Sequence, residues 1–346
     1  MTMDTAVPAP GRTIVSSAPA IEAHDLVKTY PKGVRALDGL SFAVPVGTVF
    51  ALLGPNGAGK STTIKILTTL AQADSGTAIV AGLDVRARAA QVRHAIGVVA
   101  QRSGADPVAT GRENVLLSGR IQGMRGRELA RRADELLGRF GLADAAARRV
   151  RTYSGGMQRR LDVVMGLVHR PTVLFLDEPT AGLDPESRSD MWEEIGRLSG
   201  AEGLTILLTT HYLEEADRLA SKLAIVDRGR VVAAGTPDEL KGELHGDAVH
   251  LELASHTARE HVLAALAPVP GIREIRVEGN NVSARADEGA TAVPSVLAAL
   301  ETAGVPVRAA TVARPSLDDV YLRYAGRRFA DADQPPTAPA LSGGSR

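Results

Sequence analysis

Gly54-Pro55-Asn56-Gly57-Ala58-Gly59-Lys60-Ser61 is the stretch from which the rest of the chain is read. Its spacing fits G-x-x-x-x-G-K-[ST], a phosphate-binding loop. Thr48 to Leu53, just before it, is a short apolar run with strand character, and Ile64, Leu67 and Ala71 recur after it at helical spacing. Strand, glycine-rich turn and helix form the context the loop needs. The glycines let the backbone curl around an anion with its N–H groups pointing inward. The start of the following helix adds partial positive charge at the same place. Lys60 is expected to reach the β- and γ-phosphates of a bound triphosphate and Ser61 to offer its hydroxyl to Mg²⁺. Thr62 could add a contact to another phosphate oxygen.

Composition sets the frame around this loop. A chain of 346 residues accommodates two domains or one large domain with an appendage. Lys+Arg and Asp+Glu are 40 each, so no global field favours nucleic acid. With no Cys there is no disulfide framework and no thiolate metal site. No run approaches the ~18 apolar residues that would span a bilayer. Met1 to Ala20 lacks a basic start and a continuous apolar core, so it does not read as a signal peptide. These features suggest a chain in the cytosol unless something else holds it at a membrane.

Working outward, residues 1–20 read as a disordered tail rich in Ala, Pro, Ser and Thr. Ile21 to Val27 reads as a strand and Lys28 to Val34 as a turn holding Tyr30. A helical insert follows the strand Ile96 to Ala100. Leu129, Ala133, Leu136, Leu137 and Phe140 mark one apolar face within it. Val173-Leu174-Phe175-Leu176-Asp177-Glu178 reads as a buried parallel strand ending in two carboxylates. Asp177 would stand beside the phosphate loop, where Mg²⁺ needs only one or two carboxylates besides phosphate and water. Glu178, pointing to another side, could polarise a water for in-line attack on the γ-phosphate. Ser154, Gly155 and Gly156 open a helix and could form a second anion site, although alone they also suit an ordinary capped helix. Two such sites far apart on one chain make sense if ATP is sandwiched between two copies. His211 ends a strand from which an imidazole could contact the γ-phosphate; taken alone it is also an unremarkable surface histidine.

These residues, in this order, resemble the ATP-binding subunit of an ABC transporter over about residues 20–240. The resemblance matches Tyr30 to the aromatic that stacks on adenine, Gly54 to Ser61 to the Walker A motif, and Gln101 to the glutamine that touches Mg²⁺ and faces the membrane subunit. It matches Ser154-Gly155-Gly156 to the signature motif, Asp177 to the Walker B aspartate and Glu178 to the catalytic glutamate. Asp184, in Ala181-Gly182-Leu183-Asp184, falls in the D-loop, and His211 is the switch histidine. The signature departs from the commonest form at Tyr153, where Leu is usual, and at Met157, where Gln is usual. The single cassette, Thr110-Gly111-Arg112-Glu113-Asn114 and Pro315-Ser316-Leu317-Asp318-Asp319-Val320-Tyr321 are similar to the daunorubicin-resistance type of drug-exporter ATPase.

The resemblance implies an α/β fold: a P-loop NTPase core over 21–243, with a helical signature subdomain at about 105–168. A small C-terminal α+β domain is expected over 247–326, ferredoxin-like from its order of strands and helices. Residues 329–346 read as a second disordered tail. The implied activity is hydrolysis of ATP with Mg²⁺, coupled to export of a drug or other hydrophobic small molecule. The implied partners are a second copy of the cassette and integral-membrane permease subunits, with no nucleic acid, at the cytoplasmic face of the membrane. The alternative is a soluble ATPase of the same kind acting on ribosomes or DNA. Relatives of that sort usually join two cassettes or insert long coiled coils, and this chain does neither.

Overall fold

The computed structural model describes residues 18–332, apart from His245 and His256. Most of each expected tail, residues 1–17 and 333–346, lies outside the described residues. The chain opens with the hairpin β1 (Ile21–Tyr30) and β2 (Val34–Val44), closed by a 3-10 turn at Pro31–Gly33. β1 runs three residues past the expected Val27. The Asp74 carboxylate extends it, accepting the Lys28 ammonium at 2.8 Å and the Thr29 N–H at 2.7 Å.

β3 (Val49–Leu53) is buried at every residue and delivers the phosphate loop, after which α1 (Lys60–Leu67) begins. Ala71 was expected on that helix but lies past its end. The Thr68 hydroxyl bonds back to the Ile64 carbonyl at 2.7 Å, and Thr69 turns left-handed with φ 66°. β4 (Ser75–Val80) and β5 (Leu83–Asp84) complete an antiparallel sheet ordered β2-β1-β4-β5. α2 (Ala89–Ala95) then leads into β6 (Ile96–Val99).

Three helices form the insert: α3 (Gly111–Ile121), α4 (Gly126–Arg139) and α5 (Gly155–Leu167). Thr110 and Glu113 make a reciprocal capping box that fixes where α3 starts. On α4 the buried residues are Leu129, Ala133, Leu136 and Leu137, the stripe read from the spacing.

The remaining core elements are β7 (Val173–Asp177), α6 (Pro185–Gly200), β8 (Thr205–Thr210), α7 (Leu213–Leu219), β9 (Lys222–Asp227), β10 (Arg230–Gly235) and α8 (Pro237–Gly242). The central sheet runs β10-β9-β3-β8-β7-β6 and is parallel except at the β9–β10 hairpin. Burial on both faces explains why β3 and the first four residues of β7 read as unbroken apolar runs, and why β8 is apolar at its centre, Ile206 to Leu208. Phe50, Leu52, Phe175 and Leu207 pack on one face; Ala51, Leu53, Leu174, Leu176, Ile206 and Leu208 pack on the other. The parallel arrangement brings the carboxyl ends of β3, β6, β7 and β8 to one edge, where open α/β sheets bind their ligands.

A third sheet holds β11 (Asp247–Leu253), β12 (Ile272–Glu278), β13 (Asn281–Ala286) and β14 (Val307–Ala313), antiparallel in the order β12-β13-β11-β14. With α9 (Arg259–Leu266) and α10 (Gly289–Thr302) it makes a βαββαβ unit around Val249, Leu251, Val262, Leu266, Val282 and Leu300. α11 (Leu317–Ala325) and α12 (Phe329–Ala332) follow. Their side chains pack away from the core of the small sandwich. Leu317, Val320, Tyr321 and Phe329 are buried in the core of the nucleotide-binding unit, not in that of the small sandwich. Spacing shows that a helix has an apolar face but not which core that face joins. Phe329 opens a helical turn where a tail was expected.

Candidate functional site

The phosphate loop is fixed by backbone geometry. Gly54 N–H donates to the Thr210 carbonyl at 3.2 Å, tying the loop to the end of β8. Gly59 has φ 112°, and a Cβ there would stand 2.6 Å from the Ala36 carbonyl oxygen. Only glycine fits both the dihedral and the gap. The Lys60 ammonium donates to the carbonyls of Gly54 at 2.7 Å and Pro55 at 3.1 Å. It also stands 3.6 Å from Glu178 Oε1. Asn56 and Gly57 form the exposed rim of the loop, Ala58 is buried behind it, and Ser61 and Thr62 are half-buried in the first turn of α1.

Ser61 Oγ lies 3.3 Å from Asp177 Oδ1, so a hydroxyl and a carboxylate from two elements share one spot. Thr209, in the adjacent strand β8, donates its hydroxyl to the same carboxylate oxygen at 2.6 Å. Glu178 follows Asp177 with φ 48°, a left-handed conformation that costs energy in a residue with a Cβ. Its N–H is held by the Thr209 carbonyl at 3.2 Å and the Thr209 hydroxyl at 3.1 Å. The kink aims the carboxylate away from Asp177 and into a ring of donors. Gln101 Nε2 donates to Oε2 at 3.0 Å, and His211 Nδ1 stands 3.2 Å from Oε1. That imidazole contact is close enough for charge but not aligned as a hydrogen bond. The His211 imidazole holds the Glu178 carboxyl below the usual glutamate range, burial opposes it, and the Lys60 ammonium adds to the lowering. A buried, ionised carboxylate at the edge of the loop can accept a proton from water.

The other expected residues sit apart from this cluster. Ser154 caps α5, its hydroxyl accepting the Met157 N–H at 3.2 Å. Gly156 packs on α6, where a Cβ would stand 2.6 Å from Ser187 Oγ. Asp184 caps α6 by accepting the Ser187 N–H at 2.9 Å. Tyr30 is at the tip of the first hairpin, with the Lys28 ammonium 5.8 Å from its ring centroid. Tyr153 is buried, and its hydroxyl donates to the Ala145 carbonyl at 2.7 Å. Gly111 leaves room for that ring, since a Cβ there would lie 2.2 Å from the phenol oxygen. Gly111 therefore accommodates the departure at Tyr153.

Sequence reading missed Arg159. It is buried on α5, among the residues of the signature helix. Its guanidinium donates to the carbonyls of Pro179 at 2.8 Å, Asp177 at 2.8 Å, Glu178 at 3.1 Å and Ala100 at 2.5 Å. One side chain thus joins the signature helix to the strand ends bearing Glu178 and Gln101. Burial pulls its pKa down, and Asp162 leads the acids that oppose the shift. Glu215 was missed too. It is fully buried and accepts the Thr180 hydroxyl at 2.7 Å and the Trp192 indole N–H at 3.0 Å. Arginine in a run of helix-forming residues gives no local signal, and the carbonyls it serves are 18 to 20 and 59 residues away in sequence.

The chain is similar to known proteins over most of its length. The family model described as ABC transporter matches residues 37–181, and the one described as the C-terminal domain of DrrA1-3-like ATP-binding proteins matches residues 235–325. The chain is 46% identical to the daunorubicin resistance ATP-binding protein DrrA2 of Streptomyces coeruleorubidus, over 89% of this chain and 96% of that protein. It is 40% identical to the doxorubicin resistance ATP-binding protein DrrA of Mycobacterium tuberculosis, over 88% of this chain and 92% of that one. Among solved structures, an ATP-binding subunit of an ABC transporter matches with TM-score 0.59 at 30% identity, covering 65% of this chain and 92% of that one. An ATP-binding cassette solved as a dimer in a post-hydrolysis state with ADP and Pi matches with TM-score 0.58 at 25% identity, covering 62% of this chain and 98% of that one.

Proposed function

Because the chain belongs to the family of ABC transporter ATP-binding proteins, an ATPase family, we propose that it powers export of a drug or other hydrophobic small molecule through separate membrane subunits. The observation that carries the mechanism is the convergence of Lys60, Gln101 and His211 on Glu178 at the mouth of the phosphate loop. Lys60 and the loop N–H groups bind the triphosphate, and Thr62 contributes a further contact. Tyr30 stacks on the adenine. Glu178 takes the proton from the attacking water, and His211 holds that carboxylate ionised and contacts the γ-phosphate.

The oxygen set of Ser61 and Asp177, with the Gln101 amide nearby, fits Mg²⁺, which prefers few carboxylates and a share of phosphate oxygens. When bound, Mg²⁺ would neutralise charge building on the phosphates. Ser154, Gly155 and Gly156, outside this cluster, are poised to read the γ-phosphate of a second copy, with Asp184 at the junction. Two copies would close on two ATP, since contacts made only in the closed state shift the population toward it.

Among the described residues no helix is long and apolar enough to cross a membrane. A cavity of about 310 Å³ next to Ala100, the residue before Gln101, supports docking of a membrane subunit there, which would hold the chain at the cytoplasmic face of the membrane. Thr68, Leu70, Val98, Ser118 and Met165 line it, and the same region exposes Leu70 and Ile121 at 72% each and Leu117 at 52%. Large apolar side chains this exposed mark interaction surfaces. The test is reconstitution with the membrane subunits in vesicles. ATP should drive uptake of a hydrophobic drug into inverted vesicles, and Lys60→Ala should abolish uptake by weakening ATP binding. Uptake that proceeds without ATP, or survives Lys60→Ala, would refute the assignment.

A further inference from the structure

The C-terminal segment reaches the nucleotide site through the root of the β9–β10 hairpin. Asp227 ends β9 and is 8% exposed. Two donors converge on its Oδ1: the Tyr321 hydroxyl at 3.0 Å and an Arg327 guanidinium nitrogen at 2.8 Å. Tyr321 is fully buried, its ring edge-on to Phe329 with centroids 4.9 Å apart. Burial first, then the Asp227 charge, pushes its pKa up to about 12, so the phenol remains a donor at neutral pH.

The two residues after Asp227 turn the chain into β10 with left-handed backbone, φ 48° at Arg228 and 78° at Gly229. Glycine adopts this freely, but Arg228 holds it only where its neighbours over-determine the turn. On its far side the turn is bound to the phosphate loop itself. Gly229 N–H donates to the Ala58 carbonyl at 2.9 Å, and the Gly229 carbonyl accepts the Asp38 N–H at 2.9 Å. A Cβ on Gly229 would stand 2.7 Å from the Ala36 carbonyl oxygen, so the turn is also packed against β2 without slack. A continuous path therefore runs from α11 through Asp227 and the turn to Ala58, one residue before Gly59 and two before Lys60.

We propose that Tyr321 and Arg327 are positioning residues for the phosphate loop: by clamping Asp227 they hold the Arg228–Gly229 turn, and through it the Ala58 carbonyl, in the shape that binds ATP. The inference deepens the ATP-binding reading of the loop and rests on it. It gives the C-terminal segment a duty no nucleotide motif contains, that of setting affinity for the triphosphate. The clamp touches neither substrate nor reacting atoms, so its removal should act on binding rather than on the chemical step.

The test uses the full chain. Tyr321→Phe keeps the ring and its contact with Phe329 while deleting the hydroxyl. Arg327→Met removes the second donor at a side chain already 35% exposed, so no hole opens in the core. Calorimetric titration with MgATP should show affinity three- to tenfold weaker in the double variant, with each single variant in between. In the assembled transporter KM for ATP should rise by the same factor while kcat stays within twofold. Amide exchange across residues 54–61 should quicken. Unchanged ATP affinity and unchanged exchange there, with only a lower melting temperature, would overturn the proposal and leave the clamp as plain structural support. A wild-type chain that fails to bind MgATP would instead overturn the reading beneath it, and the inference with it.

Discussion

At the residue scale, Glu178 concentrates the chemistry. Its left-handed backbone, held by Thr209, separates it from Asp177 and delivers it to Lys60, Gln101 and His211. Glu178→Gln keeps the size and polarity of the side chain but cannot accept a proton. We expect turnover to fall by about 10²-fold or more, with ATP still bound and an ATP-bound dimer accumulating; single-turnover hydrolysis and size-exclusion chromatography read the two effects. Wild-type turnover would remove Glu178 from its role. His169 supplies a pH-dependent contribution elsewhere. Burial holds its imidazole below the ordinary 6.5, against the Ile96 carbonyl that Nε2 contacts at 2.9 Å. A depressed folded pKa means that the unfolded chain takes up the proton first. Its stabilising contribution is therefore full above 6.5 and is lost as pH falls from there toward the folded value. Urea unfolding between pH 7.5 and about 5.5 should show that loss, and His169→Gln should flatten it.

At the element scale, the site depends on a helix and two strand ends being locked together. Arg159 does this from α5, serving carbonyls at the ends of β6 and β7 and just beyond them. Replacing it with Met strands those acceptors and leaves buried Asp162 without its nearest opposite charge. We expect a loss of about 3–5 kcal/mol in denaturant unfolding. Arg159→Lys restores the charge but not the fork, so it should recover only part of the stability and less of the turnover. Equal behaviour of Lys and Arg at this position would show that charge alone matters. The capping boxes at Thr110, Thr236 and Ser316 show the same economy at helix starts, where a polar side chain three residues before an acid fixes the boundary.

At the scale of the whole molecule, two surfaces matter: the edge that would meet a second copy, and the apolar rim by Gln101. Leu117→Asp with Ile121→Asp places two charges where a membrane subunit would dock. Both residues are exposed, so the fold should tolerate the change. ATP binding by the free chain should stay within twofold, while co-purification with the membrane subunit should fall by tenfold or more, about 1.4 kcal/mol or above. Retained co-purification would move the docking place off this rim. The C-terminal sandwich closes its own core, yet the segment after it completes that of the nucleotide-binding unit. The two are thus joined by more than a linker, and a cut after residue 243 would strip Leu317, Val320 and Tyr321 from the larger core.

What the sequence determined alone was what depends on neighbours along the chain. Gly54 to Ser61 spells its own backbone, because glycine and the start of a helix are local demands. The apolar runs ending at Leu53, Leu176 and Leu208 declare a buried parallel sheet, and the order βαββαβ is legible in alternation. The structure brought Lys60, Asp177, Glu178, Gln101 and His211 together because parallel strands share one edge. Tertiary structure alone decided what depends on partners distant in sequence. Arg159 answers carbonyls as far away as Ala100, Gly111 makes room for the ring of Tyr153, and Asp227 is clamped by Tyr321 and Arg327 from 94 and 100 residues away. Burial, and the pairing that burial demands of a polar group, is set by the whole fold, so no local pattern could announce these contacts.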